Sequence, residues 1–343
     1  MYRLAVSIPT YNRRDLLAPL LDVLLEQAAG ADVQIVVTDN ASDDGTEELC
    51  RDYARRHRRL KYVRYDRNWG PDHNFLASVA HADAEYCWLF GSDDMPRPKA
   101  MARVLNLLQT SEPDILLFDR LWCDYWMRPT RVDRFLTVDA ECTFDTNCAD
   151  DVRRYLAASC GLCALLSFLS SVVVRKSRWD AAPTPEMYMR SAYVHTAKLL
   201  GVFAAGCKLV YAPEPLVLCR GDNEGLMEHG LFNRARLDFV WYSRMIRRFF
   251  PREPEMSLAL RVVRREFTPL RLALLAATAR GLEAFELVRH LRTFRYPTPV
   301  QLAFGLLAAL PPLRWLLSLA VKPARNLWWR RQKAATNRAL SSP

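Results

Sequence analysis

The amino-acid sequence lacks several features that would point to familiar classes of protein. No Gly-x-Gly-x-x-Gly follows its first strand-like segment, which argues against a dinucleotide-dependent oxidoreductase. The N-terminus has no basic segment, long apolar stretch or cleavage signal, so we expect a protein that is not secreted. No repeat or low-complexity tract is present. With 343 residues, 50% of them hydrophobic, the chain is long enough for one large domain and an accessory region.

Cysteine usage argues against a disulfide framework and against a zinc site. The nine cysteines are odd in number and lie in hydrophobic stretches such as Tyr86-Cys87-Trp88. The one Cys-x-x-Cys, from Cys160 to Cys163, has apolar surroundings and no second ligand pair, which disfavours a redox or zinc motif. Such usage is typical of a reducing compartment, and we therefore expect a cytoplasmic protein.

Acidic residues are scarce in the last third of the chain. From Met1 to His229 there are 27 Lys and Arg against 32 Asp and Glu, whereas from Gly230 to Pro343 there are 21 against 6. This asymmetry predicts an anionic partner for the C-terminal region, either nucleic acid or a lipid surface. No nucleic-acid-binding motif accompanies the charge, so we expect an anionic membrane surface and no nucleic acid.

The same region contains apolar segments flanked by Trp and Arg. They are Pro299–Leu310, Leu313–Val321 and Asn326–Arg331. The uncharged stretch reaches membrane-spanning length only by including several prolines, so we expect an interfacial or packed helix, not a span. This pattern predicts a peripheral protein on the inner face of the cytoplasmic membrane. The alternative is a helical subdomain with a solvated basic face.

Strand-like segments alternate with helical patterns over the first 120 residues. The strands are predicted at Leu4–Ile8, Gln34–Thr38, Lys61–Tyr65, Tyr86–Phe90 and Asp114–Phe118. The helical patterns cover Asp15–Gln27, begin again near Thr46, and recur at Phe75–His81 and Lys99–Leu108. This order predicts an α/β fold with a mostly parallel sheet that binds its ligand at the carboxyl ends of the strands. Beyond about Asp150 the alternation weakens, with a helix predicted over Ser191–Leu200.

Three polar segments follow these strands. The first is Ser7–Asn12, and the second is Thr38–Thr46, in which Asp39 could accept a hydrogen bond from a nucleobase and Asp43 and Asp44 suit helix capping. The third, Phe90–Pro98, contains the adjacent carboxylates Asp93 and Asp94. Paired carboxylates beside a buried strand suit Mg²⁺ or Mn²⁺, which neutralises charge on a departing diphosphate; the alternative is a solvated turn.

Together, these segments and Arg67–Asn74 resemble the family 2 nucleotide-sugar glycosyltransferases of the GT-A fold, which have a Rossmann-like nucleotide-binding half. The resemblance is carried by Ser-Ile-Pro-Thr-Tyr-Asn-Arg, Asp-Asn-Ala-Ser-Asp-Asp-Gly-Thr, Asn-Trp-Gly-Pro-Asp-His-Asn and the acidic pair. It implies a donor such as a UDP-, CDP-, dTDP- or GDP-sugar and a divalent metal, Mn²⁺ or Mg²⁺. The form Trp-Leu-Phe-Gly-Ser-Asp-Asp resembles a branch that includes abequosyltransferase-like enzymes of O-antigen assembly. A lipid-linked glycan acceptor would agree with the basic C-terminal region.

The resemblance also implies roles for individual residues. Nucleotide-sugar binding would involve Pro9, Thr10, Tyr11, Asp39, Asn68, Asn74, Ser92, Asp93 and Arg220, with Asp93 and Asp94 holding the metal. One departure is Gly91, where the family usually has a carboxylate. We place a GT-A catalytic domain in residues 1–223 and a helical, basic, membrane-associating region in residues 224–343.

The catalytic base is the least defined element. An inverting transfer needs a group that takes the proton of the acceptor hydroxyl. The region where the family places this group contains Glu186 and His195 without an acidic pair, and a base titrating near neutral pH would suit histidine. A retaining transfer would need no such base. The missing carboxylates leave one alternative open, a catalytically inactive member that binds nucleotide-sugar or acts as a membrane scaffold. Arg220–Asn223 could close over the diphosphate or form an ordinary polar loop.

Overall fold

The computed structural model describes residues 1–184, 186–221, 231–279, 282–310 and 313. The chain divides into two compact units. The first comprises Met1–Cys123, Pro129–Ser159 and Cys163–Arg220; the second comprises Asp124–Arg128, Cys160–Leu162 and the chain from Gly221 onward.

The first unit is an α/β structure whose elements follow the predicted order. Its strands are β1 (Tyr2–Thr10), β2 (Val33–Asp39), β3 (Leu60–Arg64), β4 (Ala84–Leu89), β5 (Met95–Pro96), β6 (Ile115–Cys123), β7 (Pro129–Asp133), β8 (Cys142–Asp145), β9 (Val172–Arg175) and β10 (Lys208–Arg220). Its helices are α1 (Arg14–Gln27), α2 (Thr46–Arg56), α3 (Pro71–Ala80), α4 (Ala100–Ser111), α5 (Ala149–Ala158), α6 (Lys176–Ala181) and α7 (Val194–Ala204).

All ten strands form one sheet. The order is β3-β2-β1-β4-β9-β6-β10-β5, and β7 and β8 pair with β6 and β10. Strands β3, β2, β1 and β4 are mutually parallel, as are β6 and β10. Strand β9 is antiparallel to both of its neighbours, β4 and β6. The predicted α/β class with a mostly parallel sheet is therefore confirmed, and the antiparallel insertion of β9 is a feature that the alternating pattern did not predict.

Apolar side chains on both faces of the central strands form the core of this unit. Helix α1 buries Leu17, Leu20, Leu21 and Leu24, which recur at helical spacing. Trp88 on β4 is fully buried and packs edge-on against Phe90 and Phe118, with ring centroids 5.2 and 5.6 Å away. Burial of strands on both faces explains why they are almost continuously hydrophobic.

Two helices begin at residues that differ from the sequence prediction, and both differences affect the site. Helix α3 starts at Pro71, four residues before Phe75, because Gly70 adopts a positive φ of 85° and proline suits the first helical position. Helix α7 starts at Val194, after positive φ values at Arg190 and Ala192. His195 therefore lies in the first turn of a helix and not in its middle.

The second unit is helical, as predicted for the C-terminal region. Its helices are α8 (Leu231–Phe249), α9 (Glu255–Glu266), α10 (Pro269–Thr278), α11 (Glu283–Thr293) and α12 (Thr298–Ala309). The buried ring of Phe239 packs against Phe267, His290 and Phe294, at 4.3, 5.0 and 5.7 Å between ring centroids. Within the described ranges, no helix is both long and apolar enough to cross a membrane. The predicted apolar segments beyond Leu313 lie outside the described residues.

Candidate functional site

The loops that follow β1 and β2 lie side by side at the carboxyl edge of the sheet. Because the two strands are parallel, Thr10 pairs in register with Asp39. The Asn40 N–H donates to the Thr10 carbonyl oxygen at 3.0 Å, and the Asn12 N–H donates to Ser42 Oγ at 2.9 Å. These hydrogen bonds join two segments that are some 30 residues apart in sequence into one rim.

Asp39, the predicted partner of a nucleobase, is fully buried at the end of β2. One carboxylate oxygen accepts hydrogen bonds from the N–H and the hydroxyl of Ser42, at 2.9 and 2.6 Å. The other accepts from the Tyr62 hydroxyl at 2.6 Å. Burial and the Asp39 carboxylate raise the pKa of Tyr62, which keeps its hydroxyl a donor. Asp39 therefore shapes the Ser42 turn and is fully buried in this arrangement.

Among the residues predicted to contact a nucleoside, Tyr11 presents the largest surface. It is 43% exposed, whereas Pro9, Thr10 and Asp39 are buried. The chain turns directly after it, where Asn12 adopts a positive φ of 50°. An exposed aromatic ring at the carboxyl edge of a parallel sheet is well placed for stacking against a planar base.

Asparagine side chains join these loops to the segment before α3. Asn68 Oδ1 accepts from Asn40 Nδ2 at 2.7 Å and from the Gly70 N–H at 2.8 Å. Asn40 Oδ1 accepts in turn from the Trp69 N–H at 3.0 Å. Asn40 was not among the predicted site residues, although its place directly after Asp39 and a buried strand was the available signal.

Asn74 lies in the first turn of α3 and points into the sheet edge. Its Nδ2 donates to the carbonyl oxygens of Thr10 and Thr38, both at 3.0 Å. The residue is only 2% exposed, and its Oδ1 has no hydrogen-bond partner within the part of the chain that the structure describes. Asn74 is therefore a buried residue that holds the carboxyl ends of β1 and β2 together. Asn68, in contrast, is exposed.

The two carboxylates of the acidic pair have different surroundings. Asp94 is 5% exposed; its Oδ2 accepts from Ser170 Oγ at 2.5 Å and its Oδ1 from the Arg220 N–H at 3.1 Å. Burial raises the pKa of Asp94 to about 7, and the neighbouring charge of Asp93 adds to this effect. Asp93 keeps 28% of its side chain exposed. Ser92, also predicted to bind the donor, is buried.

Two arginines approach Asp93. Arg220, at the end of β10, donates from Nε to the Asp93 carbonyl oxygen at 2.8 Å. Arg13, directly before α1, has a guanidinium nitrogen 3.9 Å from the Asp93 carboxylate. Arg13 was not predicted as a site residue, although it follows the Thr-Tyr-Asn loop in sequence. Guanidinium groups of this kind suit diphosphate oxygens. Asp222 and Asn223 of the predicted closing loop lie outside the described residues.

The fit of a divalent cation depends on carboxylate oxygens that can face the solvent. Asp93 fits this requirement, because its side chain is partly exposed. Asp94 does not, since it is buried and both of its oxygens accept hydrogen bonds. Nowhere in the described ranges do three or more His, Cys, Asp or Glu side chains come together as a metal site. The residues therefore fit a cation held by Asp93 together with oxygens of a bound diphosphate, and Asp94 as a second ligand stays a prediction.

His195 does not match the predicted base. It is 2% exposed, its Nε2–H donates to the Ser167 carbonyl oxygen at 3.0 Å, and its ring packs edge-on against Phe75 at 4.9 Å. Burial lowers the pKa of His195 to about 4. The expectation of a base that titrates near neutral pH is therefore wrong for this residue, because desolvation disfavours its charged form.

Two carboxylates belong to, or contact, the segment of chain that precedes α7. Glu186, the other predicted catalytic residue, is exposed in the 3₁₀ turn Glu186–Tyr188. Asp72, which was not predicted, is buried and accepts from the N–H groups of Ala192 and Val194 at 2.8 and 2.9 Å. Burial raises the pKa of Asp72. Its oxygens are committed to the turn before α7, so it holds that turn in place.

Comparison with known proteins agrees with this geometry. Residues 5–153 match the model of glycosyl transferase family 2. Abequosyltransferase RfbV of Salmonella typhimurium is 36% identical over 262 residues, which are 75% of this chain and 78% of that protein. The crystal structure of S. aureus TarS 1-349 in complex with UDP-GlcNAc aligns over 94% of this chain and 92% of that chain, with a TM-score of 0.64 and 13% identity. The mannosyltransferase PcManGT of Pyrobaculum calidifontis, in complex with GDP-Man and Mn²⁺, aligns over 95% and 87%, with a TM-score of 0.54 and 16% identity.

The fold and the polar carboxyl edge of the sheet define a GT-A glycosyltransferase. The chain belongs to glycosyl transferase family 2, as the identity to the abequosyltransferase over most of both chains shows. The resemblance, the fold class and the enzymatic class predicted from sequence are thus confirmed. The individual site residues remain predictions at this point.

Replacement of Asn74 by Asp tests the framework function of this side chain. The change preserves the size of the side chain but removes its N–H donors. It also places a negatively charged carboxylate beside two carbonyl oxygens, which repel it. We expect a loss of about 2–4 kcal/mol in the free energy of unfolding, measured by urea denaturation at pH 8. The matched control is Asn106→Asp on the exposed face of α4, expected to change stability by less than about 0.5 kcal/mol. Equal stability of the two variants would contradict the assignment.

The His195 environment predicts a specific pH dependence of stability. Its pKa is about 4 in the folded protein and 6.5 for an unperturbed histidine, so between these pH values the unfolded state binds a proton that the folded state does not. Acidification through this window therefore destabilises the wild type. Between pH 7 and pH 4.5, His195→Gln should lose less unfolding free energy than the wild type, by roughly 1–3 kcal/mol. Parallel pH curves for the two proteins would show that the histidine is not buried in its neutral form.

Proposed function

We propose that this glycosyltransferase moves a sugar from a nucleotide-diphosphate-sugar to a hydroxyl of a lipid-linked oligosaccharide during assembly of a cell-surface polysaccharide such as O-antigen. The observation that carries the proposal is the grouping of Asp93, Arg13 and Arg220 beside the loops after β1 and β2. The similarity to an abequosyltransferase over 75% of the chain supports sugar transfer as the reaction. UDP-, CDP-, dTDP- and GDP-sugars are all candidate donors.

In this proposal, one group of residues at the carboxyl edge of the sheet binds the nucleoside of the donor, and a second group binds its diphosphate. The exposed ring of Tyr11 and the backbone of Pro9 and Thr10 receive the nucleoside, while Asp39 acts by holding the Ser42 turn. Asn68 lies on the approach to the diphosphate, and Asn74 keeps the two loops closed beneath it.

The diphosphate would lie against Asp93, Arg13 and Arg220. Arg13 and Arg220 bring two positive charges to within hydrogen-bond or ion-pair reach of Asp93, which favours a dianionic group there. A Mn²⁺ or Mg²⁺ ion held by Asp93 would neutralise the charge that develops on the departing diphosphate. Ser92 and Asp94 are buried beneath it and support the loop.

Glu186 is the candidate base for an inverting transfer. It is exposed, as a group that takes a proton from an acceptor hydroxyl must be. His195 is set aside, because its buried ring is committed to the Ser167 carbonyl oxygen. A retaining transfer would leave Glu186 without this function.

Replacement of Asp93 by Asn tests the donor site. We expect the variant to fold normally and to lose sugar transfer and Mn²⁺-dependent binding, because an amide is a poor ligand for a hard cation. The measurement is a thermal-shift series with UDP-, CDP-, dTDP- and GDP-sugars, with and without Mn²⁺; a ligand at 100 times its Kd stabilises by about 2.7 kcal/mol. Asp83→Asn, an exposed site before β4, is the matched control and should keep the full Mn²⁺ effect. An unchanged Mn²⁺ effect in Asp93→Asn would remove the metal assignment.

The proposed location is the cytoplasmic face of the membrane, with residues 1–223 as the catalytic domain and residues 224–343 as the membrane-associating region. Helix α12 carries no charged residue, and Leu302, Leu306 and Leu310 are 64, 59 and 46% exposed. Leu302 and Leu306, four residues apart, lie along one face of the helix, and Leu310 follows directly after its last residue. The second unit also exposes many arginines, namely Arg244, Arg247, Arg248, Arg252, Arg261, Arg265, Arg271, Arg289, Arg292 and Arg295. An exposed leucine stripe and exposed arginines suit the interface of an anionic bilayer.

A double replacement, Leu302→Asp with Leu306→Asp, tests this surface. It removes apolar area and introduces two negative charges, so we expect binding to vesicles of phosphatidylcholine with about 30% phosphatidylglycerol to fall at least about tenfold. Cosedimentation measures the bound fraction. The control is Val132→Asp with Met187→Asp, which makes the same charge change at two residues of the first unit that are each 52% exposed. Equal loss in both variants would show that charge alone, and not the α12 stripe, governs binding.

A further inference from the structure

Gly91 stands where the family usually has a carboxylate, and the space beside it is already filled. A methyl group added at Gly91 would lie 3.0 Å from Asp94 Oδ2, 3.1 Å from Asp93 Oδ1 and 3.3 Å from Ser170 Oγ. The first two distances are shorter than ordinary van der Waals contact between carbon and oxygen. A side chain at this position would therefore require the side chains of Asp93 and Asp94 to shift by a few tenths of an ångström.

Ser170 occupies the centre of this arrangement. Its hydroxyl accepts a hydrogen bond from the Gly91 N–H at 2.8 Å and donates to Asp94 Oδ2 at 2.5 Å. Its carbonyl oxygen accepts from Trp88 Nε1 at 2.8 Å. Ser170 is fully buried in the 3₁₀ turn Leu169–Ser171, directly before β9. One hydroxyl thus joins the first and last residues of the loop Gly91–Asp94 to a turn nearly 80 residues away.

We propose that Ser170 is a positioning residue for the donor site, which turns Asp94 inward so that Asp93 is the one carboxylate of the pair presented to the diphosphate and its cation. In place of a carboxylate at residue 91, this chain uses a glycine and a buried serine hydroxyl. The inference rests on the proposed function of Asp93 and identifies a residue that acts through it.

The geometry explains how a group that is fully buried would affect a ligand that it does not touch. Asp94 is held at both oxygens, by the Ser170 hydroxyl and by the Arg220 N–H. Arg220 in turn binds the carbonyl oxygen of Asp93 through Nε. Without the serine hydroxyl, the buried Asp94 would lose one of its two partners, and the partly buried Gly91 N–H would lose its acceptor. Because unpaired buried polar groups are costly, the loop would rearrange, and the direction of the Asp93 side chain would change with it.

The matched control for this test is the next residue. Ser171 is also fully buried in the same turn, but its hydroxyl has no hydrogen-bond partner among the described residues. Ser170→Ala and Ser171→Ala therefore remove the same atom from the same environment, and only the first removes bonds to the acidic loop.

The experiment measures Mn²⁺ affinity directly, by water-proton relaxation during Mn²⁺ titrations in the presence of UDP, CDP, dTDP or GDP in turn. We expect Ser170→Ala to weaken Mn²⁺ binding in the nucleotide complex about tenfold or more, with Ser171→Ala within about twofold of the wild type. Ser170→Cys keeps the side-chain volume with a weaker donor, and serves if the alanine variant does not fold; it should also weaken Mn²⁺ binding.

The outcomes separate this inference from the proposed function. Wild-type binding of Mn²⁺ that Asp93→Asn abolishes and Ser170→Ala leaves unchanged would overturn the positioning function of Ser170 alone. That function is likewise overturned if Ser170→Ala and Ser171→Ala weaken binding equally, or if Ser170→Ala lowers only the stability towards urea. Absence of nucleotide-dependent Mn²⁺ binding in the wild type would overturn both proposals.

Discussion

A buried carboxylate, that of Asp94, connects three parts of the first unit that are distant in sequence. It accepts hydrogen bonds from Ser170, before β9, and from the backbone of Arg220, at the end of β10, while its own loop follows β4. A carboxylate taken out of water is tolerated only with such partners, and even here burial raises its pKa to about 7. The position of Asp93, and with it the electrostatic character of the site, depends on this arrangement.

The first turn of α3 has a comparable function on the other side of the rim. Asn74 binds the carbonyl oxygens of Thr10 and Thr38, and Asp72 binds the backbone before α7. One short helix therefore fixes both the carboxyl ends of β1 and β2 and the turn that precedes α7. These contacts are made by polar side chains that are 2% exposed, so each is engaged by the protein, whereas the Tyr11 ring is 43% exposed.

This division between buried and exposed polar groups explains which residues can be predicted from sequence. The strands and most helices lie close to their predicted bounds, because apolar periodicity reports directly on burial. The four motif blocks are likewise recognisable, since they follow the carboxyl ends of parallel strands. The near-neutral titration expected for His195 is wrong, because packing against Phe75, from another element, buries the ring and disfavours its charged form. Residues such as Arg13 and Ser170 escape prediction, since their partners lie in other segments.

By itself, the sequence determined the α/β class, the family, the polar carboxyl edge of the sheet and the basic character of the C-terminal region. These properties follow from periodicity, motif spacing and charge, each of which depends on residues that are close together in the sequence. Only the tertiary structure decided that Asp94 faces inward while Asp93 remains partly exposed, and that His195 is buried with a pKa lowered to about 4. Burial and hydrogen-bond partners are set by elements that meet across the sheet, so adjacent carboxylates of identical chemistry acquire different surroundings.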